Sequence, residues 1–255
     1  MNANGVKAIV LAAGQGTRMA AGAGGPPKVL HTACGRPMIS YVLRALDFIA
    51  PADTVLVVGY RQEAVRAALG PAYVYAEQPR RLGTGHAVLC AEPALAGCAG
   101  PVLICYGDMP LIRRETFLGL LDTHRREGNA CTLLSGVSRQ PLPYGRVVRG
   151  ADGAFAGIVE DADCTPAQRE ISELNAGVYV MEAALLFPAL RRVGGANAQG
   201  EYYLTDVPAL LQADGARVGV RRSEREGEIL GVNTTAQLAD VEARLRESGA
   251  AADFL

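Results

Sequence analysis

The stretch Leu11-Ala12-Ala13-Gly14-Gln15-Gly16-Thr17-Arg18-Met19, followed by Pro27-Lys28, decides the fold of this chain. It comes directly after an apolar run at residues 6–11, whose length and β-branched residues predict a buried strand. A glycine-rich turn at the end of such a strand brings backbone N–H groups close to an anionic ligand. Arg18 and Lys28 place two cations beside that turn. The stretch therefore predicts a binding site for the triphosphate of a nucleotide.

Two common phosphate loops do not account for this stretch. A P-loop requires a glycine, four residues and then Gly-Lys-Ser/Thr, and this pattern is absent. A dinucleotide-binding turn requires a third glycine, and Met19 stands where it would lie. Glycine is also the ordinary residue of turns, so the glycines alone indicate only a strand-to-helix turn. The neighbouring Thr17, Arg18 and Lys28 favour phosphate binding over a simple turn.

Lysine is rare in this chain, which makes its position informative. Of the 25 basic residues, only Lys7 and Lys28 are lysines, and the others are arginines. A compact ammonium can follow a moving phosphate as a point charge, which a planar guanidinium does less well. A ligand role for Lys28 is therefore preferred over chance placement in a loop.

Composition limits the kinds of partner this chain can have. The 255 residues are 49% hydrophobic, which allows a sizeable core in one large domain or two small ones. The net charge is −1 and no basic block occurs, which argues against a nucleic-acid partner. No apolar run approaches the ~20 residues that span a bilayer, and the N-terminus lacks an export signal. We expect a cytoplasmic protein with no membrane partner.

The cysteines and histidines do not indicate a metal centre. The cysteines lack C-x-x-C spacing and lie mostly in apolar stretches, which predicts reduced, buried thiols rather than zinc ligands; they are Cys34, Cys90, Cys98, Cys105, Cys131 and Cys164. The histidines are His31, His86 and His124. Because they are scattered along the chain, each is interpreted as a packing or surface residue.

Strand and helix patterns alternate through the first half of the chain. Apolar runs at residues 6–11, 54–59, 73–76 and 102–106 predict strands, and helical patterns occur at residues 38–48, 62–69, 85–95 and 115–126. This βαβ order predicts an α/β, Rossmann-like fold with a mostly parallel sheet and helices on both faces. Ligands of such sheets bind at the carboxyl ends of the strands, where the glycine turn and the Asp108 segment both lie.

The second half of the chain has a different character. Short strand candidates at residues 130–137, 145–149, 154–160 and 177–181 are mixed with turns and with Pro141 and Pro143. They predict strands that extend the sheet and a smaller mixed β lobe from about residue 139. A helical pattern at 234–248 has a capping box of Thr234 and Gln237 and a stop at Gly249. We therefore expect one domain over residues 1–231, including this lobe, and a C-terminal helix over residues 232–255.

Two further segments carry polar groups at strand ends. Asp108 follows an apolar strand, and a lone aspartate there is often a turn former or a helix cap. If the two strands are neighbours, Asp108 lies near the glycine turn, where a carboxylate facing a triphosphate makes sense mainly with a divalent cation between them. Mg²⁺ takes one or two protein carboxylates, so a metal ligand is favoured over a turn residue. Gln78 offers a donor and an acceptor, as a pyrimidine edge requires. Gly83 and Thr84 would let a base approach the backbone, although a glycine at a helix entry is common.

Scattered polar groups in the second half could line a sugar pocket. They lie in the motifs Tyr144-Gly-Arg146, Gly157-Ile-Val-Glu160, Leu174-Asn-Ala-Gly177 and Gly200-Glu-Tyr-Tyr-Leu-Thr-Asp206. Each motif alone is equally typical of a turn, a surface strand or a helix cap. Together they offer the many hydrogen bonds that sugar hydroxyls need. Asn233 is either a helix N-cap or a contact to metal and sugar.

These motifs together resemble those of a known family. The chain is similar to the pyrophosphorylase domain of bacterial N-acetylglucosamine-1-phosphate uridylyltransferases, which are sugar-nucleotide transferases. The resemblance spans nearly the whole chain and rests on residues 11–19, 27–31, 82–87, 106–108, 144–146, 157–160, 197–206 and 231–233. The first motif is shared by sugar-nucleotide transferases in general, whereas residues 197–206 are far more specific to this branch.

The resemblance implies a nucleotide-diphospho-sugar transferase fold with UTP and N-acetylglucosamine-1-phosphate as substrates and UDP-N-acetylglucosamine, a precursor of peptidoglycan, as product. Arg18, Lys28 and Asp108 would be catalytic, and Asp108 and Asn233 would hold Mg²⁺. The nucleotide would be bound by Leu11, Ala12, Ala13, Gly14, Gly16, Thr17, Gln78, Gly83, Thr84 and Tyr106. The N-acetyl sugar would be contacted by Gly145, Glu160, Asn175, Tyr202 and Thr205.

Two features depart from the family pattern. The linker at residues 20–26 is longer than the family pattern predicts. The family's proteins usually continue into a left-handed β-helix that acetylates glucosamine-1-phosphate and builds a trimer, and no hexapeptide repeat occurs here. We therefore expect no acetyltransferase activity and no β-helix domain, and a homo-oligomer is left open.

The implied reaction needs no general base. A phosphate monoester is largely dianionic at pH 7 because its second pKa is ~6, so charge neutralisation and alignment must do most of the catalysis. Two alternatives are left open: transfer to another sugar phosphate or from dTTP, since Gln78 does not separate uracil from thymine, and a non-catalytic regulatory domain that binds sugar nucleotides. The presence of Arg18, Lys28 and Asp108 disfavours the non-catalytic domain.

Overall fold

A computed structural model of the protein describes residues 5–19, 24–138, 142–225 and 227–250. Its strands are β1 (Lys7–Leu11), β2 (Thr32–Ala33), β3 (Arg36–Pro37), β4 (Thr54–Val58), β5 (Val74–Glu77), β6 (Pro101–Tyr106), β7 (Cys131–Val137), β8 (Arg146–Arg149), β9 (Phe155–Val159), β10 (Glu173–Glu182) and β11 (Val218–Arg222). Its α-helices are α1 (Met38–Ala45), α2 (Gln62–Leu69), α3 (Thr84–Cys90), α4 (Arg114–Glu127), α5 (Pro166–Arg169), α6 (Ala183–Leu190), α7 (Val207–Ala213) and α8 (Thr235–Glu247).

The main sheet has the strand order β11-β7-β10-β6-β1-β4-β5 in the described part of the chain. Strand β1 pairs in parallel with both β4 and β6, so that Leu11 lies between Val57 and Tyr106. Strand β10 is antiparallel to both of its neighbours, β6 and β7. The antiparallel pair of β8 and β9 joins β10 at the Leu174–Arg146 contact. The predicted α/β fold, with a mostly parallel sheet and an added mixed β region, is confirmed.

Alternate residues of the central strands pack into two hydrophobic cores, one on each face of the sheet. On β1, Val10 packs into a cluster with α1, α2 and α4, whereas Ile9 packs into a cluster with α3, α6 and α7. The strands read as continuous apolar runs because helices cover both faces. Because β1, β5 and β6 run in the same direction, their carboxyl ends lie at one edge of the sheet. The turns that follow these strands meet there.

Helix α8 closes the fold by docking on the start of the chain. Its Val241 and Leu245 are buried against Met19, Ala33 and Met38. The Thr234 side chain accepts a hydrogen bond from the N–H of Gln237 and the Gln237 side chain accepts one from Thr234, so the predicted capping box is present. Among the described residues, no helix combines the length and apolarity needed to cross a membrane.

Several boundaries differ from those expected from the sequence. The helix predicted over residues 85–95 ends at Cys90, and Glu92–Leu95 is a 3₁₀ helix, because Pro93 supplies no N–H for an α-helix. The strand predicted over residues 177–181 is the ten-residue β10. The pattern gave no expectation of β11, α5, α6 or α7. Residues 20–23 of the long linker and the expected start of the lobe at 139, with Pro141, lie outside the described residues.

Candidate active site

A cavity of about 480 Å³ opens at the carboxyl ends of β1, β5 and β6 and is bounded on its other side by β10 and the β8–β9 pair. Most of the residues predicted to form the site line this one cavity: Leu11, Ala13, Gly14, Arg18, Lys28, Gln78, Gly83, Thr84, Tyr106, Asp108, Gly145, Glu160, Asn175 and Asn233. The structure therefore brings together groups that lie up to 222 residues apart between Leu11 and Asn233.

The glycine turn after β1 is shaped around Lys28. Gly16 has a φ of +72°, and a Cβ added there would lie 3.0 Å from the Cβ of Lys28. The Lys28 N–H donates to the carbonyl of Gly14 at 3.3 Å, and Lys28 then begins the 3₁₀ helix Lys28–Leu30. Only a glycine at position 16 allows this close approach without strain.

Two cations and two side-chain oxygen acceptors converge beside the turn. The Lys28 ammonium forms an ion pair with Asp108, and both side chains are largely buried. The same Nζ donates to Oδ1 of Asn233 at 2.7 Å. Nη2 of Arg18 donates to this Oδ1 at 3.2 Å. Lys28 therefore points toward Asp108 and Asn233, and Arg18 points toward Asn233, so these four side chains converge in the cavity.

The oxygen atoms of Asp108 and Asn233 fit a hard divalent cation. Both touch the Lys28 ammonium, so one positive charge already lies within reach of both oxygens. Among the described residues, no group of three or more His, Cys, Asp or Glu side chains could hold a metal alone. Mg²⁺ suits this sparse set, because it is usually bound by one or two protein oxygens together with substrate phosphates and water.

At one end of the cavity, Gln78 lies under the turn that precedes α3. Gln78 is 6% exposed, and its Nε2 lies 3.0 Å from the Gly83 carbonyl and 3.2 Å from Nδ1 of His86. Gly83 has a φ of +108°, and a Cβ there would lie 2.6 Å from the carbonyl oxygen of Tyr202. This backbone contact fixes the turn, because the Gly85 N–H donates to the same carbonyl at 2.8 Å.

At the other end, Glu160 faces the cavity from the end of β9. Its Oε1 accepts a hydrogen bond of 2.9 Å from the Thr205 hydroxyl. Burial raises the pKa of Glu160, the Thr205 bond lowers it, and the nearby carboxylates of Asp206, Asp163 and Asp161 raise it further, with a net rise. A carboxylate held in this way offers an acceptor for a sugar hydroxyl or amide.

A bulge in β10 aims Asn175 at the cavity. The pairing of β10 with β7 shifts register between Asn175 and Tyr179, and Gly177 between them has a φ of +70°. The Asn175 Nδ2 donates to the Tyr179 hydroxyl at 2.7 Å, and its Oδ1 accepts from the Gly177 N–H at 3.1 Å. A Cβ on Gly177 would lie 2.1 Å from the Tyr106 ring, so the bulge requires glycine.

Five of the predicted site residues do not line the cavity. Ala12 is buried in the sheet, and its N–H donates to the Val57 carbonyl at 2.8 Å. Gly16 packs against the base of the Lys28 side chain, and Thr17 is exposed. Tyr202 contributes backbone to the turn before α3 while its side chain is 40% exposed. Thr205 is buried behind Glu160, so it reaches the site only through that carboxylate.

The cavity also includes residues that sequence reasoning did not select. Tyr144 accepts a 2.7 Å hydrogen bond from the Gly231 N–H through its hydroxyl, which ties the lobe to the segment before Asn233. Arg81 lies on the wall and donates to the Gln15 side chain at 2.9 Å. The motif Tyr144-Gly-Arg146 was one of those expected to line a sugar pocket, so it could have identified Tyr144. Nothing in the sequence placed Arg81 opposite Gln15.

A family model described as "MobA-like NTP transferase domain" matches residues 8–199. The chain belongs to the MobA-like NTP transferase family. It is therefore a nucleotidyltransferase, and the strand, turn and cations at its start lie within the matched region.

Individual relatives of this MobA-like NTP transferase carry the name "Bifunctional protein GlmU". The chain is 43% identical over 240 residues to the one from Streptococcus equi subsp. zooepidemicus, 45% over 239 residues to that from Pelotomaculum thermopropionicum and 46% over 243 residues to that from Pelobacter propionicus. Each match covers 94% of this chain and 52% of the relative, so the chain spans about half the length of these curated relatives. The matches confirm the resemblance seen in the motifs.

A solved structure shares the fold. A protein from Bacillus anthracis assigned as a glucose-1-phosphate thymidylyltransferase superposes with a TM-score of 0.73, at 17% sequence identity. The match covers 94% of this chain and 95% of that one. At this identity the likeness establishes the fold, and the predicted nucleotidyltransferase architecture is confirmed.

Proposed function

We propose that this nucleotidyltransferase transfers UMP from UTP to N-acetylglucosamine-1-phosphate. The products would be UDP-N-acetylglucosamine, for the synthesis of cell-wall precursors, and pyrophosphate. The observation that carries the proposal is the convergence of Arg18, Lys28, Asp108 and Asn233 in one cavity, whose lining also includes Gln78, Glu160 and Asn175. The GlmU relatives support the choice of substrates, because the motifs resemble the uridylyltransferase domain of that bifunctional enzyme.

The chemistry would be an in-line displacement at the α-phosphorus of UTP. A non-bridging oxygen of the sugar phosphate forms the new bond, and the bond from the α-phosphorus to the oxygen shared with the β-phosphorus breaks. That oxygen keeps the electron pair and leaves with pyrophosphate. The nucleophile is already dianionic near pH 7, so no side chain has to remove a proton. Charge neutralisation and alignment are what the protein must supply.

The charged groups beside the glycine turn would supply that neutralisation. Arg18 and Lys28 would contact the triphosphate and stabilise the charge that develops on the departing pyrophosphate. Asp108 and Asn233 would hold Mg²⁺, which when bound would screen the α-phosphate from the incoming anion. Lys28 would then be free to turn from Asp108 to a phosphate, in keeping with the reach of a lysine side chain.

The two ends of the cavity would orient the substrates. Backbone at Leu11 to Gly14, together with Gln78 and Gly83, would hold the uridine, and Thr84 and Tyr106 would complete that wall. Gly145, Glu160 and Asn175 would contact the N-acetyl sugar. Thr205 would act by holding Glu160, and Tyr202 by fixing the backbone before α3. The cytoplasmic location expected from the sequence belongs to the same proposal, supported by six cysteines that are all free thiols.

A substrate panel tests the proposal. Pyrophosphate release is measured with UTP, dTTP or CTP, each combined with N-acetylglucosamine-1-phosphate or glucose-1-phosphate, with Mg²⁺ and with excess chelator. We expect the highest kcat/KM for UTP with the N-acetyl sugar and no release when Mg²⁺ is chelated. A preference for dTTP or for the unacetylated sugar would identify a different sugar-nucleotide transferase. Tight binding of sugar nucleotide without any release would identify a non-catalytic regulatory domain.

A further inference from the structure

The orientation of the Gln78 amide is determined by its surroundings. The group 3.0 Å from its terminal atom is the Gly83 carbonyl, which can only accept a hydrogen bond. Nε2 must therefore be the atom on that side, because Oε1 there would face another oxygen. This assignment comes from the chemistry of the neighbour and leaves Oε1 on the opposite side of the amide.

The same Nε2 fixes the protonation of His86. It lies 3.2 Å from Nδ1 of His86, and an amide nitrogen has only hydrogens to offer, so Nδ1 must be an acceptor. The ring proton then belongs on Nε2, while the Cys90 sulfur lies 3.9 Å from both ring nitrogens and does not distinguish them. Burial lowers the pKa of His86 and the nearby Arg80 lowers it further, both of which favour this neutral ring.

We propose that His86 is a specificity-determining positioning residue for the nucleotide base. Together with the Gly83 carbonyl it occupies both hydrogens of the Gln78 amide, so that Gln78 presents only its Oε1 acceptor to the base. This inference rests on the proposed function, in which Gln78 contacts the base of UTP. Its new content is the role of His86, which reaches the base only through Gln78.

The consequence is a preference among pyrimidines. Uracil and thymine carry a hydrogen on N3, which an acceptor-only Gln78 can bind. Cytosine has a lone pair on N3, which would face the Oε1 lone pairs. If Gln78 could rotate, its Nε2 would satisfy cytosine equally well. Where Oε1 faces N3 of the base, the pair of His86 and Gly83 therefore disfavours cytosine relative to uracil, and it leaves the choice between uracil and thymine to other groups.

The test compares His86→Phe with His86→Asn. Phenylalanine keeps a ring but has no acceptor, whereas the asparagine Oδ1 can replace Nδ1. Relative kcat/KM for UTP over CTP is measured by pyrophosphate release. We expect the ratio to fall about tenfold in His86→Phe, the scale of one hydrogen bond in a buried site, and to recover largely in His86→Asn. The KM for the sugar phosphate should not change. Cys90→Ala, which removes a sulfur 3.9 Å from both ring nitrogens of His86, should keep the wild-type ratio.

The outcomes separate this inference from the proposed function. If the wild-type protein does not use UTP, the proposed function itself fails. If it prefers UTP and folded His86→Phe keeps the same ratio of UTP to CTP, only the role of His86 is overturned. A measurement without any variant applies even if His86→Phe fails to fold. ¹⁵N NMR of the wild-type histidines should show His86 protonated on Nε2 alone, and protonation on Nδ1 would contradict the inference.

Discussion

At the scale of single residues, the two lysines of this chain allow a matched comparison of a cavity lysine with a lysine outside the cavity. Lys28 contacts Asp108 and Asn233 in the cavity, whereas Lys7 pairs with Asp53 at the opposite end of β1. We expect Lys28→Met to lower kcat by about 10²–10³, the usual effect of removing one donor that stabilises developing charge. Lys7→Met, the matched control, should leave pyrophosphate release within a factor of about two, because exposed ion pairs contribute little. Equal effects of the two substitutions would remove Lys28 from the mechanism.

A second prediction at this scale concerns the stability cost of Glu160. Burial and three nearby aspartates raise the pKa of this carboxyl in the folded protein. The folded state therefore binds this proton more tightly than the unfolded state, so its stabilising contribution is present at low pH and is lost as the pH rises through the folded pKa. At neutral pH, Glu160→Gln should unfold at a higher temperature than the wild type while its KM for the sugar phosphate increases.

The pH dependence of thermal unfolding tests whether the higher unfolding temperature of Glu160→Gln comes from the loss of the charge. Thermal unfolding is followed from pH 4 to pH 8 for both proteins. The advantage of Glu160→Gln should disappear below the ordinary glutamate pKa of about 4.3, where Glu160 is protonated in both states. A constant difference across this range would mean that the substitution acts through packing and not through the charge.

At the scale of secondary-structure elements, the sequence predicted the parts of the fold that depend on local pattern. Strands β1, β4 and β6 are runs of apolar residues buried on both faces, and Thr234 with Gln237 caps α8 as expected. The extent of β10 was not predictable from pattern. Its polar residues Glu173 and Asn175 are placed in the sheet by pairing with β7 and β8, which is a tertiary effect.

The bulge of β10 leads to a prediction about Tyr179. The register of β10 shifts between Asn175 and Tyr179, and across this bulge the Asn175 Nδ2 donates to the Tyr179 hydroxyl at 2.7 Å. Tyr179→Phe should lower the stability by about 1 kcal/mol and raise the KM for the sugar phosphate several-fold, with the KM for UTP unchanged. Tyr41→Phe is the control, because its buried hydroxyl donates to the Ala33 carbonyl at 2.8 Å, away from the cavity. The same KM change in both variants would show that it reflects lost stability alone.

At the scale of the whole molecule, the site depends on contacts between the two ends of the chain. The Val232 N–H donates to the Asp108 carbonyl at 3.0 Å, and Asn233 then reaches Lys28 and Arg18. Sequence reasoning could select each of these residues by type. It could not show that Lys28 lies between Asp108 and Asn233, because that arrangement exists only after α8 has docked on Met19 and Met38.

This long-range closure predicts that the cap of α8 controls the proposed Mg²⁺ site at Asp108 and Asn233. The Gln237 side chain accepts hydrogen bonds from the N–H groups of Asn233 at 2.7 Å and of Thr234 at 3.1 Å. Gln237→Ala should therefore release the backbone of Asn233 and raise the Mg²⁺ concentration for half-maximal activity about tenfold, as for other residues that orient a metal ligand. The loss of the cap should also lower the stability by about 1 kcal/mol.

A second capping box in the chain separates these two effects. Thr165 and Gln168 cap α5 with the same pair of hydrogen bonds, on an exposed part of the lobe. Gln168→Ala should cost a similar free energy of unfolding while leaving the Mg²⁺ dependence as in the wild type. Titration of pyrophosphate release with Mg²⁺ and denaturant unfolding are measured on both variants. If Gln237→Ala and Gln168→Ala show the same Mg²⁺ dependence, the docking of α8 stabilises the fold without positioning Asn233 for the metal.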